Sequence, residues 1–252
     1  MTPESFVEVE HDGAVAVLTV DRAERHNSLV PALLDQLDAA AHAAFDRDGC
    51  RAVVLETAGA SFSTGGDVRA IYDHRHDGGA YADRLVGALN DVIRTFLRAP
   101  VPIVVAVDGQ VNGGSVGLVL CGDVVHFDPA ATITPYYATV GFSPDGGWTA
   151  LMPERIGRRR TAEVLATDRT VHPEEAVAWG LGSAVVTDPG ARARSTAVDV
   201  AEGVPGALAN AMALLRPDVD AVGEGLERER RRFVEQVQTE EALAGMATFL
   251  AE

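Results

Sequence analysis

The hydrophobic pattern changes period several times along the chain. Phe6–Glu10 and Ala14–Val20, joined by the turn His11-Asp12-Gly13, read as two strands of a hairpin. Residues 28–45 repeat apolar positions at helical spacing, with Asn27 or Ser28 as the expected N-cap. Arg51–Thr57 has the length of a short buried strand, and Ile103–Val107 is apolar at every position, as in a strand covered on both faces. Between them a helix is expected over 81–98, stopped by Pro100 and Pro102. A strand at 124–127, helices at 158–167 and 172–179 and a strand at 183–186 follow.

From about Pro189 the pattern is purely helical, over 191–214 and 218–251. The expected layout is therefore a β/α core over residues 1–188 and a helical region over 189–252. Such a tail cannot bury its apolar stripe alone, so it is expected to fold on the core or on another subunit.

Composition narrows the chemistry. A formal charge of -16 gives no basic face for nucleic acid and none for anionic lipid. All 21 basic residues are Arg. Without lysine there is no Schiff-base chemistry and no P-loop lysine, so a bound anion would be held by Arg and backbone N–H groups. Two cysteines, Cys50 and Cys121, fit a reducing compartment and no disulfide framework. The first residues show no leader pattern and no apolar run reaches membrane-span length. A cytoplasmic protein is expected, with no membrane or nucleic-acid partner.

Two glycine-rich turns stand between a strand and a helix. The first is Ser63-Thr64-Gly65-Gly66-Asp67 and the second Asn112-Gly113-Gly114-Ser115-Val116-Gly117. In that position free N–H groups point outward, and two such turns brought together would offer a pair of donors to one oxygen. Glycines also mark ordinary tight turns. Neither turn fits a dinucleotide or P-loop signature. Gly113–Gly117 does match the nucleophile elbow G-x-S-x-G, with Asp145 or Asp168 and His172 as formal partners. Against this, a purely helical last quarter leaves no late strand end for a triad histidine.

Taken in order, DRAERHNSL (21–29), SFSTGGDV (61–68), PVPIVVAVDGQVNGGSVG (100–117), GFSPDGGWTALMPERIG (141–157) and HPEEAVAWGLGSAVV (172–186) resemble the crotonase, or enoyl-CoA hydratase/isomerase, superfamily. The resemblance implies an α/β fold, a spiral of ββα units with a C-terminal helical region, assembled as a homotrimer or a dimer of trimers. It implies an acyl-CoA thioester substrate, with coenzyme A present only as part of that substrate and no further cofactor or metal. By matched position the oxyanion donors are the N–H groups of Gly66 and Gly114. Thr64, Gly65, Gly113, Tyr137 and Phe142 are expected to contact substrate, and Arg22 and Arg25 to hold CoA phosphates. Asp67 is placed with the substrate turn and also reads as a cap of the helix that follows.

The departures from the family pattern choose the reaction. The two glutamates that add water in family hydratases fall at Gly117 and Tyr137, neither of which is a carboxylate. Asp145, in Ser143-Pro144-Asp145-Gly146-Gly147, lies where members that shift double bonds carry their proton-transfer base. Trp148, Phe142 and Tyr137 would desolvate it and raise its pKa. The leading expectation is a double-bond isomerase using Asp145 as acid/base. The alternatives are an aryl- or acyl-CoA dehalogenase or hydrolase with Asp145 as nucleophile, and a catalytically degenerate acyl-CoA-binding homologue. Asp145 also reads as a plain helix cap in a Pro-Asp-Gly turn. The dehalogenase's activating histidine would fall near Leu89-Asn90-Asp91, where none is present. The run Arg228–Arg232 reads as a solvated or subunit-contacting helix face.

Overall fold

The computed structural model describes residues 4–251. The expectation of no leader falls partly on residues 1–3, outside the described residues. The predicted hairpin forms as β1 (Val7–Asp12) and β2 (Val15–Val20), paired antiparallel. The chain then runs through α1 (Pro31–Asp46), β3 (Ala52–Thr57), α2 (Val68–Asp73), α3 (Ala80–Leu97) and β4 (Ile103–Val107). Next come β5 (Gln110–Asn112), α4 (Val116–Leu120), β6 (Val124–Phe127), β7 (Thr132–Thr134) and α5 (Tyr137–Val140). The remainder is α6 (Met152–Ile156), α7 (Arg158–Thr167), α8 (Pro173–Trp179), β8 (Ala184–Val185), α9 (Pro189–Ala201), α10 (Pro205–Leu215), α11 (Val219–Val237) and α12 (Glu240–Phe249).

Six strands make one sheet in the order β1-β2-β3-β4-β6-β8, parallel from β2 onward, and β5 and β7 pair in a small second sheet. The period-2 rule divides the large sheet between two cores. Ala16, Leu18, Val53, Leu55, Ile103 and Val105 enter the main core with residues of α1 and α3. Their neighbours Val15, Val17, Ala52, Val54, Val104 and Ala106 face the other way, against Ala193 and Ala197 of α9. Small residues on α9 bring that helix close to the sheet. This two-sided cover is the physical reason for the unbroken apolar run of β4.

Three details differ from the sequence expectation. The first helix starts at Pro31, not at Asn27 or Ser28. Asn27 sits at φ 51° with its amide already spent: Oδ1 accepts from the Arg22 N–H at 2.8 Å, and Nδ2 donates to the carbonyls of Ala58 and Ser61, both at 2.8 Å. The two long tail helices are four. Pro205 opens α10 as a first-turn proline, and the Thr239 hydroxyl accepts from the Ala242 N–H to start α12. Strands β5 and β7 are too short for any period to register.

The C-terminal helices return to the core: α11 lies along α3, and α12 meets α2 and α5. Helix α10 buries none of its residues and leaves Leu214 and Leu215 exposed. Among the described residues no single helix is long and apolar enough to cross a membrane.

Candidate active site

The two glycine turns are laced together. The Ser63 N–H donates to the Gln110 carbonyl (2.8 Å), and the Asn112 N–H donates to the Ser63 carbonyl (2.9 Å). The Ser115 hydroxyl donates to the carbonyls of Asn112 (2.7 Å) and Ser63 (3.2 Å). That serine is completely buried, so the nucleophile-elbow reading fails: its hydroxyl is a fastener with no histidine beside it. Gly65 has φ +80°, and a Cβ there would lie 2.6 Å from the Asn112 carbonyl oxygen, so only glycine lets the turns approach.

On the Gly66 side, Leu29 bridges the turn: its N–H donates to the Gly65 carbonyl (2.7 Å) and its carbonyl accepts from Asp67 (3.0 Å). The Gly65 N–H goes to the Ser63 hydroxyl (3.2 Å). Among the described residues the N–H groups of Gly66 and Gly114 donate to no other group in these turns. Both glycines line a cavity of about 200 Å³. The cavity also takes in Thr64, Gly65, Gly113, Tyr136, Tyr137, Phe142 and Asp145, and its remaining wall is mainly Leu, Ile, Val and Phe.

Among the described residues Asp145 is the one carboxylate in that lining. A Cβ built on Gly114 would lie 2.7 Å from both of its oxygens, so the carboxyl group rests against the α-carbon of this cavity-lining glycine. Gly146, at φ +63°, passes so close to the Gly114 carbonyl that a Cβ would stand 2.1 Å from its oxygen. The Tyr137 hydroxyl donates to Asp145 Oδ1 (2.7 Å) and accepts from the Asp145 N–H (3.2 Å). Trp148, fully buried, donates its indole N–H to the Gly113 carbonyl (2.9 Å) and meets Tyr137 edge-on at 6.4 Å. Burial pushes the Asp145 carboxyl up to about 7; the Tyr137 hydrogen bond pulls against this and the nearby Glu229 adds to it. Burial likewise holds the Tyr137 phenol well above its ordinary range, so it is a donor to the carboxylate at neutral pH.

A carboxyl group poised near neutral pH beside unpaired N–H groups is the arrangement expected where a carbonyl oxygen must take up charge. The sequence profile of enoyl-CoA hydratase/isomerase matches residues 10–252. The chain belongs to the enoyl-CoA hydratase/isomerase family. It is 30% identical over 250 residues to a Rhizobium meliloti protein named "Probable enoyl-CoA hydratase", covering 97% of this chain and 94% of that one. It is 29% identical over 183 residues to 4-chlorobenzoyl coenzyme A dehalogenase-2 of an Arthrobacter species. That match covers 72% of this chain and 66% of the relative, just under two thirds of its length. In fold it follows an enoyl-CoA hydratase/isomerase of Mycobacterium paratuberculosis, with TM-score 0.90, 24% identity, and 98% of this chain and 100% of that one covered. The family processes acyl-CoA thioesters, and the crotonase-type fold expected from the motifs is the one present.

Not every residue expected at the site reaches the cavity. Asp67 caps α2 by accepting from the Ala70 N–H (3.1 Å), and it also binds Arg22 (3.0 Å) and Arg25 (3.4 Å). Burial opposes its charge, but the Ala70 N–H and the two guanidinium groups hold its carboxyl below the usual range. Arg22 is spent further on the Ser28 carbonyl and hydroxyl, at 2.9 and 2.6 Å. Asp67, Arg22 and Arg25 thus form a brace behind the first turn and are absent from the cavity wall; only Arg25, half exposed, has surface to offer a ligand. Asp145 is no helix cap, since its carboxylate meets Tyr137 and no N–H of the following turn.

Sequence reasoning missed Glu229. Within the charged run 228–232 this one side chain is buried, and its oxygens accept from Gly147 N–H (2.8 Å), Thr149 N–H (2.6 Å), Thr149 hydroxyl (2.7 Å) and Ala150 N–H (2.9 Å). The signal was present: Val222, Leu226, Glu229, Phe233 and Val237 recur at helical spacing and form the buried stripe of α11. Phe233 and Phe249, which close the cavity from α11 and α12, were missed for the same reason.

The position where family hydratases carry their first glutamate has no space for one. A Cβ on Gly117 would lie 2.5 Å from Ile93 Cδ1 and 2.7 Å from the Gly146 carbonyl oxygen. Gly117→Glu is therefore expected to lower stability by about 1–3 kcal/mol through overpacking, and to add no water to a 2-enoyl thioester. Chemical denaturation and a hydration assay check this; wild-type stability together with new hydratase turnover would reject it.

Proposed function

We propose that this protein is a double-bond isomerase of enoyl-CoA thioesters with Asp145 as its acid/base. The observation carrying the proposal is that Asp145, alone among the carboxylates of the described residues, lines the cavity, lies against Gly114, and is held near neutrality. In this reading the thioester oxygen accepts from the Gly66 and Gly114 N–H groups. Asp145 takes a proton from C2 of a 3-enoyl chain. The electrons move into a dienolate whose oxygen the two donors stabilise, and the same proton returns at C4 to give the 2-enoyl isomer. One carboxyl group, alternately base and acid, suffices because no water is added. A pKa near the working pH suits it to both halves.

Two features weigh against the family's other chemistries here. Hydration needs a base for water, and Gly117 and Tyr137 supply no carboxylate. Nucleophilic attack by Asp145, as the dehalogenase likeness invites, needs a base to activate the hydrolysing water, and among the described residues no histidine lines the cavity. Asn90, in the stretch matching that enzyme's histidine, is buried and donates to the Leu226 carbonyl (3.2 Å).

The test is incubation of the enzyme with 3-enoyl-, 2-enoyl- and 4-chlorobenzoyl-CoA under product analysis. Expected is interconversion of the enoyl isomers, with incorporation of solvent deuterium at C4 whenever the proton on Asp145 exchanges, and activity that falls as pH drops through about 7. A 3-hydroxyacyl or 4-hydroxybenzoyl product in place of the isomer would reject the assignment.

A further inference from the structure

Glu229 reaches the catalytic loop without reaching the cavity. It projects from the buried stripe of α11, and all four of its hydrogen-bond partners are donors: three backbone N–H groups and the Thr149 hydroxyl. Three of the four can only donate, and the Thr149 hydroxyl is the one group among them able to accept from a protonated carboxyl, so this ring favours an acceptor-only carboxylate. Burial raises the Glu229 pKa, and the hydroxyl of Thr149 with the N–H groups of Gly147, Thr149 and Ala150 pulls it back.

The clamped residues are the ones that aim the site. Gly147 is two positions from Asp145, whose own carbonyl accepts from the Trp148 N–H (3.4 Å). The Trp148 indole in turn holds the Gly113 carbonyl beside the second glycine turn. One side chain of the C-terminal helices thereby ties down the loop bearing the base and, through Trp148, the turn bearing Gly114.

We propose that Glu229 is the positioning residue for Asp145: by clamping the 147–150 backbone from α11, it sets the place of the Asp145 carboxyl group. The titratable groups facing Asp145 are Tyr137 from α5, which favours the charged form, and Glu229 from α11, which opposes it. The neighbouring Arg230 on α11 is engaged elsewhere, with Asp83 at 2.6 Å and Glu227 at 3.4 Å, and does not neutralise Glu229. This inference rests on Asp145 being the acid/base of the proposed isomerase, but its electrostatic consequence is measurable without turnover.

The experiment compares wild type, Glu229→Gln, Glu229→Asp and Thr149→Val, each checked for folding by circular dichroism. Protein labelled with 13C at the aspartate carboxyl carbon is titrated, and the Asp145 signal is assigned by its loss in Asp145→Asn. In wild type this signal is expected to titrate near 7, apart from the ordinary carboxylates. In Glu229→Gln the midpoint is expected to fall by at least about half a unit, because a negative neighbour has been removed. The acid limb of kcat/KM should move down with it. kcat is expected to drop roughly 10- to 100-fold with KM within about threefold, a loss of aim and not of binding. Glu229→Asp, which keeps the charge but shortens the reach, should keep the midpoint near wild type while kcat recovers only in part. Thr149→Val, at an exposed position, removes one donor and should lower kcat about three- to tenfold; it keeps the test alive if Glu229→Gln does not fold.

A folded Glu229→Gln protein with an unmoved midpoint and unmoved kcat overturns the proposal, as does wild-type kcat in both Glu229→Asp and Thr149→Val. A midpoint that moves in a protein that isomerises nothing would leave the clamp standing and sink the isomerase reading instead.

Discussion

Asp145→Asn is expected to lose at least about 10²–10⁴-fold in isomerase turnover, with KM nearly unchanged, and to be the more stable protein above pH 7. The first half follows from the cavity lining: among the described residues no other carboxylate is there to take over proton transfer. The second half follows from burial. The Asp145 pKa is raised from an ordinary carboxylate value to about 7 in the folded chain. Between about pH 4 and 7 the folded chain holds a proton that the unfolded chain has released. The associated stability is complete below the unfolded value and is lost as pH rises through about 7. At pH 8 the loss is on the order of 4 kcal/mol. Asparagine never ionises and so avoids it, although its buried NH₂ lacks an acceptor, at a cost of about 1–3 kcal/mol. The net expectation is a gain of about 1–3 kcal/mol at pH 8 that disappears or reverses at pH 5. Urea unfolding at the two pH values reads this out. Equal turnover in a folded variant defeats the catalytic assignment, and a pH-independent stability difference defeats the account of burial.

That exchange of stability for a poised carboxyl group is also why the site was only partly legible in the sequence. The glycine turns announced themselves, because Gly65 and Gly146 occupy backbone conformations and clearances that no other residue tolerates, and such constraints are written in composition. Strands β2, β3 and β4 were legible because burial on two faces demands unbroken apolar runs. What the sequence could not carry was partnership across long separations. Asp67 looked available for substrate until Arg22 and Arg25 were found to consume it. Ser115 fitted a nucleophile motif until its hydroxyl was found buried between two carbonyls. Glu229 looked solvated because its neighbours are charged, and only the spacing from Leu226 to Phe233 marks it as inward-facing. Trp179 is half-buried, with the Arg160 and Arg169 guanidinium groups over its ring at 5.1 and 5.0 Å, partners that lie 19 and 10 residues away in the chain.

Arg216→Ala is expected to be among the most destabilising changes outside the active site, by about 3–5 kcal/mol. The side chain closes the C-terminal end of α10 onto the start of β4. It donates to both carboxylate oxygens of Asp123, at 3.0 and 2.6 Å, to the Val101 carbonyl at 2.9 Å and to the Ala99 carbonyl. Arginine and aspartate are only 8% and 11% exposed, so solvent screening weakens this pair little. Truncating the arginine leaves a carboxylate nearly out of water with the Ile103 N–H (2.8 Å) as its remaining partner, and strands two carbonyls. The cost lies mainly in that orphaned charge, not in the attraction lost. The double variant Arg216→Ala/Asp123→Ala should therefore be markedly less destabilised than the sum of the two single variants. Neither residue lines the cavity, so isomerase kcat at low temperature should stay within about twofold of wild type. Denaturant unfolding of the four proteins decides the matter. A loss below about 1 kcal/mol for Arg216→Ala, or strict additivity in the cycle, would mean that the pair is solvated in solution and that α10 is held by something else.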